Sequence, residues 1–414
     1  MKQNSNKHDK TAAALLWDES FLWGIMSVRA LKRASLPFNI IRSDDIKKGV
    51  LSNYRMLFVP GGWASNKLKT LGDEGAEAIR SFVSSGGNYL GFCGGAGLAT
   101  LDGIGIANIN RMPTKDRVPS FSGKIRLNTS EHKIWQGLKD KVFHAWWPSQ
   151  FVAADDSIKT IASYSEAMPD AFSSDINVGD VASNEEWKRF EEIYGINLNP
   201  ARLTGEPAVV EGAYGSGKVV LSLVHFDSPG DDNGIIILKN LWQHLAETEA
   251  SANNKNDETS STISSLKQHD ISRLEAIAKH LIEFGERNFL WFWRNPMLLQ
   301  WRRGVRGLEY CTLYMLLKEI SSEIENKKPA SQDYVERIAR LRSLLIPFVK
   351  DAKTLLFKER MAMQQGHITY EKCSDPEIQA LRTNLFSSSK SYGGRFKELI
   401  DEIDVLLFEL IKKS

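Results

Sequence analysis

The stretch Asn88-Tyr-Leu-Gly-Phe-Cys93-Gly-Gly-Ala-Gly97 constrains this chain more than any other. Tyr89 to Phe92 read as a buried strand, and small residues follow the cysteine without a break. Gly94 to Gly97 leave no bulk where the backbone must turn from strand into helix. A side chain held on such a corner projects above the carboxyl edge of a sheet. The N–H groups of the next helix then point toward it, a setting that favours a thiolate and can hold an oxyanion. The competing interpretation is a buried structural cysteine beside a turn, since cysteine is among the most buried residue types.

Around this corner the pattern alternates. Ala12 to Trp17, Phe38 to Arg42 and Tyr54 to Val59 read as strands, with helices predicted over about Phe21 to Ser35 and Thr70 to Ser84. Pro60-Gly61-Gly62 closes the third strand and Gly86-Gly87 launches the fourth. Strands alternating with helices imply an α/β fold, a doubly wound and mostly parallel sheet whose ligands sit beyond the carboxyl ends of the strands. Gly103 to Gly123 reads as loop. Shorter strands follow at Lys124 to Leu127, Lys141 to Trp146 and Lys159 to Ser163. Ser183 to Tyr194 reads as a helix, with Ser183 as N-cap and Glu186 completing a capping box. Ala208 to Ala213 and Lys218 to His225 form a hairpin signal around Tyr214-Gly-Ser-Gly217. A helix over Ile235 to Ala246 closes a domain spanning 11–246.

Residues 247–270, rich in Ser, Thr, Asn and Glu, read as a linker. From Ile271 to the end the pattern is helical without strands, over Ile271–Glu286, Met297–Asn326, Ser331–Gln365 and Arg395–Lys413, so 271–414 is expected to be an all-α helical domain. A chain of 414 residues accommodates two cores. The formal net charge of +2 argues against a generally basic nucleic-acid binder. Cys93, Cys311 and Cys373 lie too far apart for a zinc pattern or a disulfide framework, so a reducing cytoplasm is the expectation. Neither a metal nor a cofactor is expected. The polar start, Met1 to Lys10, meets an apolar run too short for a signal peptide, and no stretch approaches a membrane span.

A cysteine nucleophile needs a base, and the base needs an orienting acceptor. His225 ends a strand whose carboxyl end should share an edge with Cys93, and Asp227 lies two residues on, on the same side of an extended chain. The alternatives are a satisfied histidine and a turn aspartate. The backbone N–H groups of Gly61, Gly62 and Gly94 are the natural oxyanion donors.

Together, Pro60-Gly61-Gly62, the stretch from Gly86 to Gly95 and Gly217 to His225 resemble the class I glutamine amidotransferase-like fold, in particular the N-terminal domain of eukaryotic biotin–protein ligases. The resemblance covers about residues 11–246. It implies a flavodoxin-like architecture and glutamine hydrolysis by a Cys-His-Glu triad that passes ammonia to a synthetase partner. By similarity Cys93 falls on the nucleophile, His225 on the base and Asp227 on the acidic member. The chain departs from that pattern in three ways. Asp stands where Glu is usual, Gly94 to Gly97 replace the Gly-x-Gln-type turn, and nothing downstream resembles a synthetase. Trp301-Arg-Arg-Gly-Val-Arg-Gly307 is superficially like a biotin-ligase loop but lies in a helical context, so biotinylation is not expected. The expected function is thiolate acyl transfer or hydrolysis of a small amide, fused to a helical interaction domain. A catalytically silent metabolite- or protein-binding module is the alternative. A third branch, an intracellular protease or deglycase, places an acid near the cysteine, for which Asp18 and Glu19 are the candidates. Asn288 to Arg306 combines three tryptophans with four arginines and no acid. Residues 289–306 could pack as an aromatic core with arginines reaching outward, dock a partner or second copy, or contact a membrane surface.

Overall fold

The structure is a computed structural model, and it describes residues 10–247, 265–326, 332–366, 369, 373–387 and 392–412. The chain divides into two compact units, residues 1–255 and 256–414.

In the first unit β1 (Thr11–Leu16) leads into α1 (Phe21–Arg33), β2 (Asn39–Ile41), α2 (Ser43–Lys47) and β3 (Tyr54–Val59). Next come α3 (Ala64–Ser84), β4 (Asn88–Phe92) and the short α4 (Gly94–Ala99). A run of strands continues the chain: β5 (Ile109–Arg111), β6 (Phe121–Thr129), β7 (Val142–Trp146), β8 (Phe151–Ala153), β9 (Lys159–Ala167), β10 (Phe172–Ser173) and β11 (Ile176–Asn177). After α5 (Asn184–Tyr194) come the hairpin β12 (Pro207–Tyr214) and β13 (Gly217–Ser222), then α6 (Asp232–Ala246).

The parallel centre of the sheet runs β2-β1-β3-β4-β13, the flavodoxin-like order. Its strands read as continuous apolar runs because helices cover both faces, and Ala13, Leu15, Leu57, Phe58, Leu90 and Phe92 are fully buried. Beyond β13 the sheet continues antiparallel through β12, β9 and β6. Two segments of the expected loop 103–123 are strand: β5 pairs with β8, and β6 begins at Phe121. Strand β13 stops at Ser222, so His225 stands past its end, joined to the sheet by one bridge to His144. Ser183 caps α5 through Glu186 N–H, but the Glu186 carboxylate reaches Ala182 N–H, one residue earlier than a capping box requires.

The second unit contains α7 (Ser265–Arg287), β14 (Trp291–Asn295), β15 (Leu298–Trp301), α8 (Gly307–Asn326), α9 (Gln332–Gln365), α10 (Pro376–Phe386) and α11 (Gly394–Lys412). Tyr310, Phe348, Phe386 and Phe396 share its core, with ring centroids 5.7–6.5 Å apart. The unit is helical as expected, with two corrections. The expectation of no strands fails at 291–301, where Asn295 Oδ1 accepts from Met297 and Leu298 N–H and Pro296 blocks the helix, forcing a tight turn. Trp291 then faces Trp301 across a hairpin. The expected linker 247–270 ends in helix from Ser265, and its portion 248–264 lies outside the described residues. Within 289–306, Leu290, Trp291 and Leu298 are buried while Phe289 and Phe292 are exposed. No described helix is long and apolar enough to cross a membrane.

Candidate functional site

Cys93 occupies the corner between β4 and α4 with φ 47° and ψ −103°, a conformation that costs an L residue energy and is held by its surroundings. Its N–H donates to Ser222 O at 2.7 Å, tying the corner to the neighbouring strand, and Gly97 N–H donates to Cys93 O at 2.9 Å. That bond opens the helix, so the N–H groups of Gly94, Gly95 and Ala96 have no partner within it. The absence of side chains here is steric. A Cβ on Gly94 would lie 1.8 Å from Gly62 O, and one on Gly61 would lie 3.0 Å from both His225 Cε1 and Trp23 Cγ. The turn after β3 therefore presses against the cysteine corner on one side and the imidazole on the other. Neither Gly61 nor Gly62 donates to another backbone group among the described residues.

His225 and Asp227 come together as the two-residue spacing suggests. Nδ1 of His225 lies 3.0 Å from Asp227 Oδ1, and both side chains are fully buried. Asp227 Oδ2 accepts from Ser27 Oγ at 2.5 Å, and Trp23 stacks on the imidazole with centroids 4.8 Å apart. Nε2 of His225 is buried and, among the described residues, has no partner at full hydrogen-bond geometry; the group it faces is the Cys93 thiol. Burial alone would lower the His225 pKa. The charge and hydrogen bond of Asp227, reinforced by Cys93, overcome it and raise the value to about 9. The Cys93 sulfur also faces Trp146 O at 3.9 Å.

Sequence reasoning missed Ser27, Trp23 and Trp146, which come from α1 and β7 and carry no local signal. It also missed Arg111, Arg117 and Tyr164. Arg117 and Tyr164 both lie within electrostatic reach of Cys93, and Arg111 Nη1 stands 3.1 Å from where a Cβ on Gly97 would sit. Of the two acids offered for the third branch, Asp18 accepts from Arg42 Nη1 at 2.7 Å and from Ser43 N–H at 2.6 Å. Glu19 Oε2 accepts from Asn66 at 3.1 Å.

His132, Glu211 and His244 form one cluster with metal-ligand chemistry among the described residues. Its geometry is that of a closed hydrogen-bond set. The two Nε2 atoms lie 2.7 and 2.9 Å from the two oxygens of Glu211, and His132 Nδ1 accepts from Ile134 N–H, which puts the His132 proton on Nε2. A metal on that nitrogen would need the opposite tautomer.

The family model described as biotin-protein ligase, N terminal, matches residues 39–102, from β2 through the cysteine corner and α4. The family likeness is to the N-terminal domain of biotin–protein ligases. The flavodoxin-like order and the glycine-lined corner are similar to the architecture that this likeness implies. No curated protein matches the chain. Many solved structures are similar to it, among them the following three. One is described as glutamine amidotransferase, with 18% identity over 57% of this chain and 100% of that one and a TM-score of 0.36. PurLQS from Thermotoga maritima shows 14% identity over 56% and 98%, with a TM-score of 0.37. A β-galactosidase from Bacillus circulans sp. alkalophilus shows 14% identity over 58% and 32%, with a TM-score of 0.37.

Proposed function

We propose that the first unit is a cysteine-dependent amidase or acyl-transfer module acting on a small amide. The observation that carries this reading is the buried Asp227–His225 hydrogen bond, which turns Nε2 toward Cys93 at the sheet edge. Asp227 accepts the Nδ1 proton and fixes the tautomer, so Nε2 is the atom that takes and returns a proton. In the first half-reaction the Cys93 sulfur attacks the amide carbon. The negative charge moves to the carbonyl oxygen, where the N–H groups of Gly61, Gly62 and Gly94 can receive it. The C–N bond then breaks, the nitrogen leaves with the proton from His225 Nε2, and a thioester remains. Water or another nucleophile, deprotonated by Nε2, releases the acyl group and restores the thiol. The glycine walls bring backbone rather than side chains to the reacting atoms, which keeps the substrate small.

Ammonia release from a panel of small amides tests this reading. Cys93→Ala should abolish release while leaving the fold intact, and Asp227→Asn should lower it by about 10²–10⁴-fold. A catalytically silent binding module predicts instead that the wild-type protein releases no more ammonia than Cys93→Ala.

A further inference from the structure

Arg111 ends β5 half-buried, and among the described residues its guanidinium makes neither a hydrogen bond nor an ion pair. Its Nη1 stands against Gly97 in the helix that begins after Cys93. Arg117, also half-buried, meets only neutral hydroxyls among the described residues: Ser149 Oγ at 3.0 Å and Thr114 Oγ1 at 3.3 Å. Ser149 lies three residues beyond Trp146, whose carbonyl faces the Cys93 sulfur. Nε of each arginine is buried without an acceptor. The Tyr164 hydroxyl, on a fully buried side chain, and Ser120 Oγ are likewise buried without partners.

Two partly desolvated guanidinium groups without a carboxylate are costly to fold around. Burial lowers the Arg117 pKa, and the positive charge of Arg111 lowers it further, while Cys93 acts the other way. Burial, and then Cys93, raise that of Tyr164, so the phenol stays a neutral donor. Asp227 is engaged by His225 and Ser27, so the nearby carboxylate does not reach either guanidinium.

We propose that Arg111 and Arg117 form the binding site for an oxyanion group, carboxylate or phosphate, carried by the substrate of Cys93, so that the preferred substrate is an anionic amide. Arginine forks suit such groups because they donate two parallel hydrogen bonds. A zwitterionic amide such as free glutamine would bring its ammonium toward two guanidinium groups that have no carboxylate partner among the described residues. This inference rests on the proposed site for its location but is independent of turnover.

Calorimetry on full-length Cys93→Ala separates the two. The probes are glutaramate, the neutral glutaramide, L-glutamine and inorganic phosphate. Glutaramate should bind at least about tenfold more tightly than glutaramide or glutamine. The preference should disappear in Arg111→Gln and Arg117→Gln and return in part in the lysine variants, which keep the charge if glutamine perturbs the fold. Arginine-dependent binding of either glutaramate or phosphate supports the site, and their ratio identifies the oxyanion. Equal binding of charged and neutral probes, a preference that survives the glutamine variants, or no binding of either anion overturns it. Wild-type protein that releases no ammonia would remove the catalytic reading while leaving an arginine-dependent binding result standing.

Discussion

The Asp227 carboxylate holds Nδ1 of His225 at 3.0 Å in a pocket from which both side chains are withdrawn from solvent. This pairing governs how the imidazole titrates. His225 has a folded pKa of about 9 against an ordinary 6.5, so the stabilisation it provides is complete below about pH 6.5 and is lost as pH rises through about 9. Asp227→Asn removes the charge and keeps the burial, which lowers the pKa. The His225 midpoint, followed by NMR of the imidazole ring, should fall clearly below 9 in the variant. A midpoint still near 9 would show that Asp227 is not the source of the shift.

The three cysteines differ in burial, with Cys311 buried and Cys93 and Cys373 partly exposed. Cys311 is fully buried, burial pushes its thiol up to about 12, and it donates to Met297 O. Cys93 opens onto the candidate site. Iodoacetamide followed by peptide mass mapping should label Cys93 at least about tenfold faster than Cys373 and leave Cys311 unlabelled in the native protein. Equal labelling of all three would count heavily against a nucleophilic Cys93.

Gly94 tests the close packing of the corner. Its Cβ position lies 1.8 Å from Gly62 O, so an added methyl must drive two backbone segments apart. Gly94→Ala should cost about 1–3 kcal/mol or more of stability, read from the denaturant midpoint. An unchanged midpoint would mean that the two turns do not touch.

In the second unit Glu359 and Arg382 form a buried pair at 2.8 Å. Arg382 also donates to Thr369 O and Gly304 O. Burial raises the Glu359 pKa to about 7 against the opposing pull of Arg382. The folded value exceeds the ordinary 4.5, so the stability attached to Glu359 is fully present below about pH 4.5 and is lost as pH rises through about 7. Glu359→Gln should abolish this dependence in pH-resolved denaturation. Arg382→Met should cost about 1–3 kcal/mol, because it leaves the buried Glu359 carboxyl and the Thr369 and Gly304 carbonyls without their donor.

The cysteine corner, the parallel centre of the sheet and the His225–Asp227 spacing were legible in the chain because each depends on neighbours in sequence. A buried parallel strand is a short apolar run, a sharp turn needs glycine, and alternate residues of extended backbone share a side. The hairpin at 291–301 was misread because Trp, Phe and Leu suit a helix as well as a strand. The Asn295-Pro296 turn that decides between them is a single local bond pattern.

Tertiary structure alone decided what surrounds the thiol. Ser27 reaches Asp227 across 200 positions of sequence, Trp23 stacks on His225 from a distant helix, and Arg111 and Arg117 lie in a segment that read as featureless loop. Local propensity sets how each strand ends and which residue stands there. The company each residue keeps follows from the order in which the strands pair and the helices cross, and that order is fixed by burying the whole set of apolar faces at once.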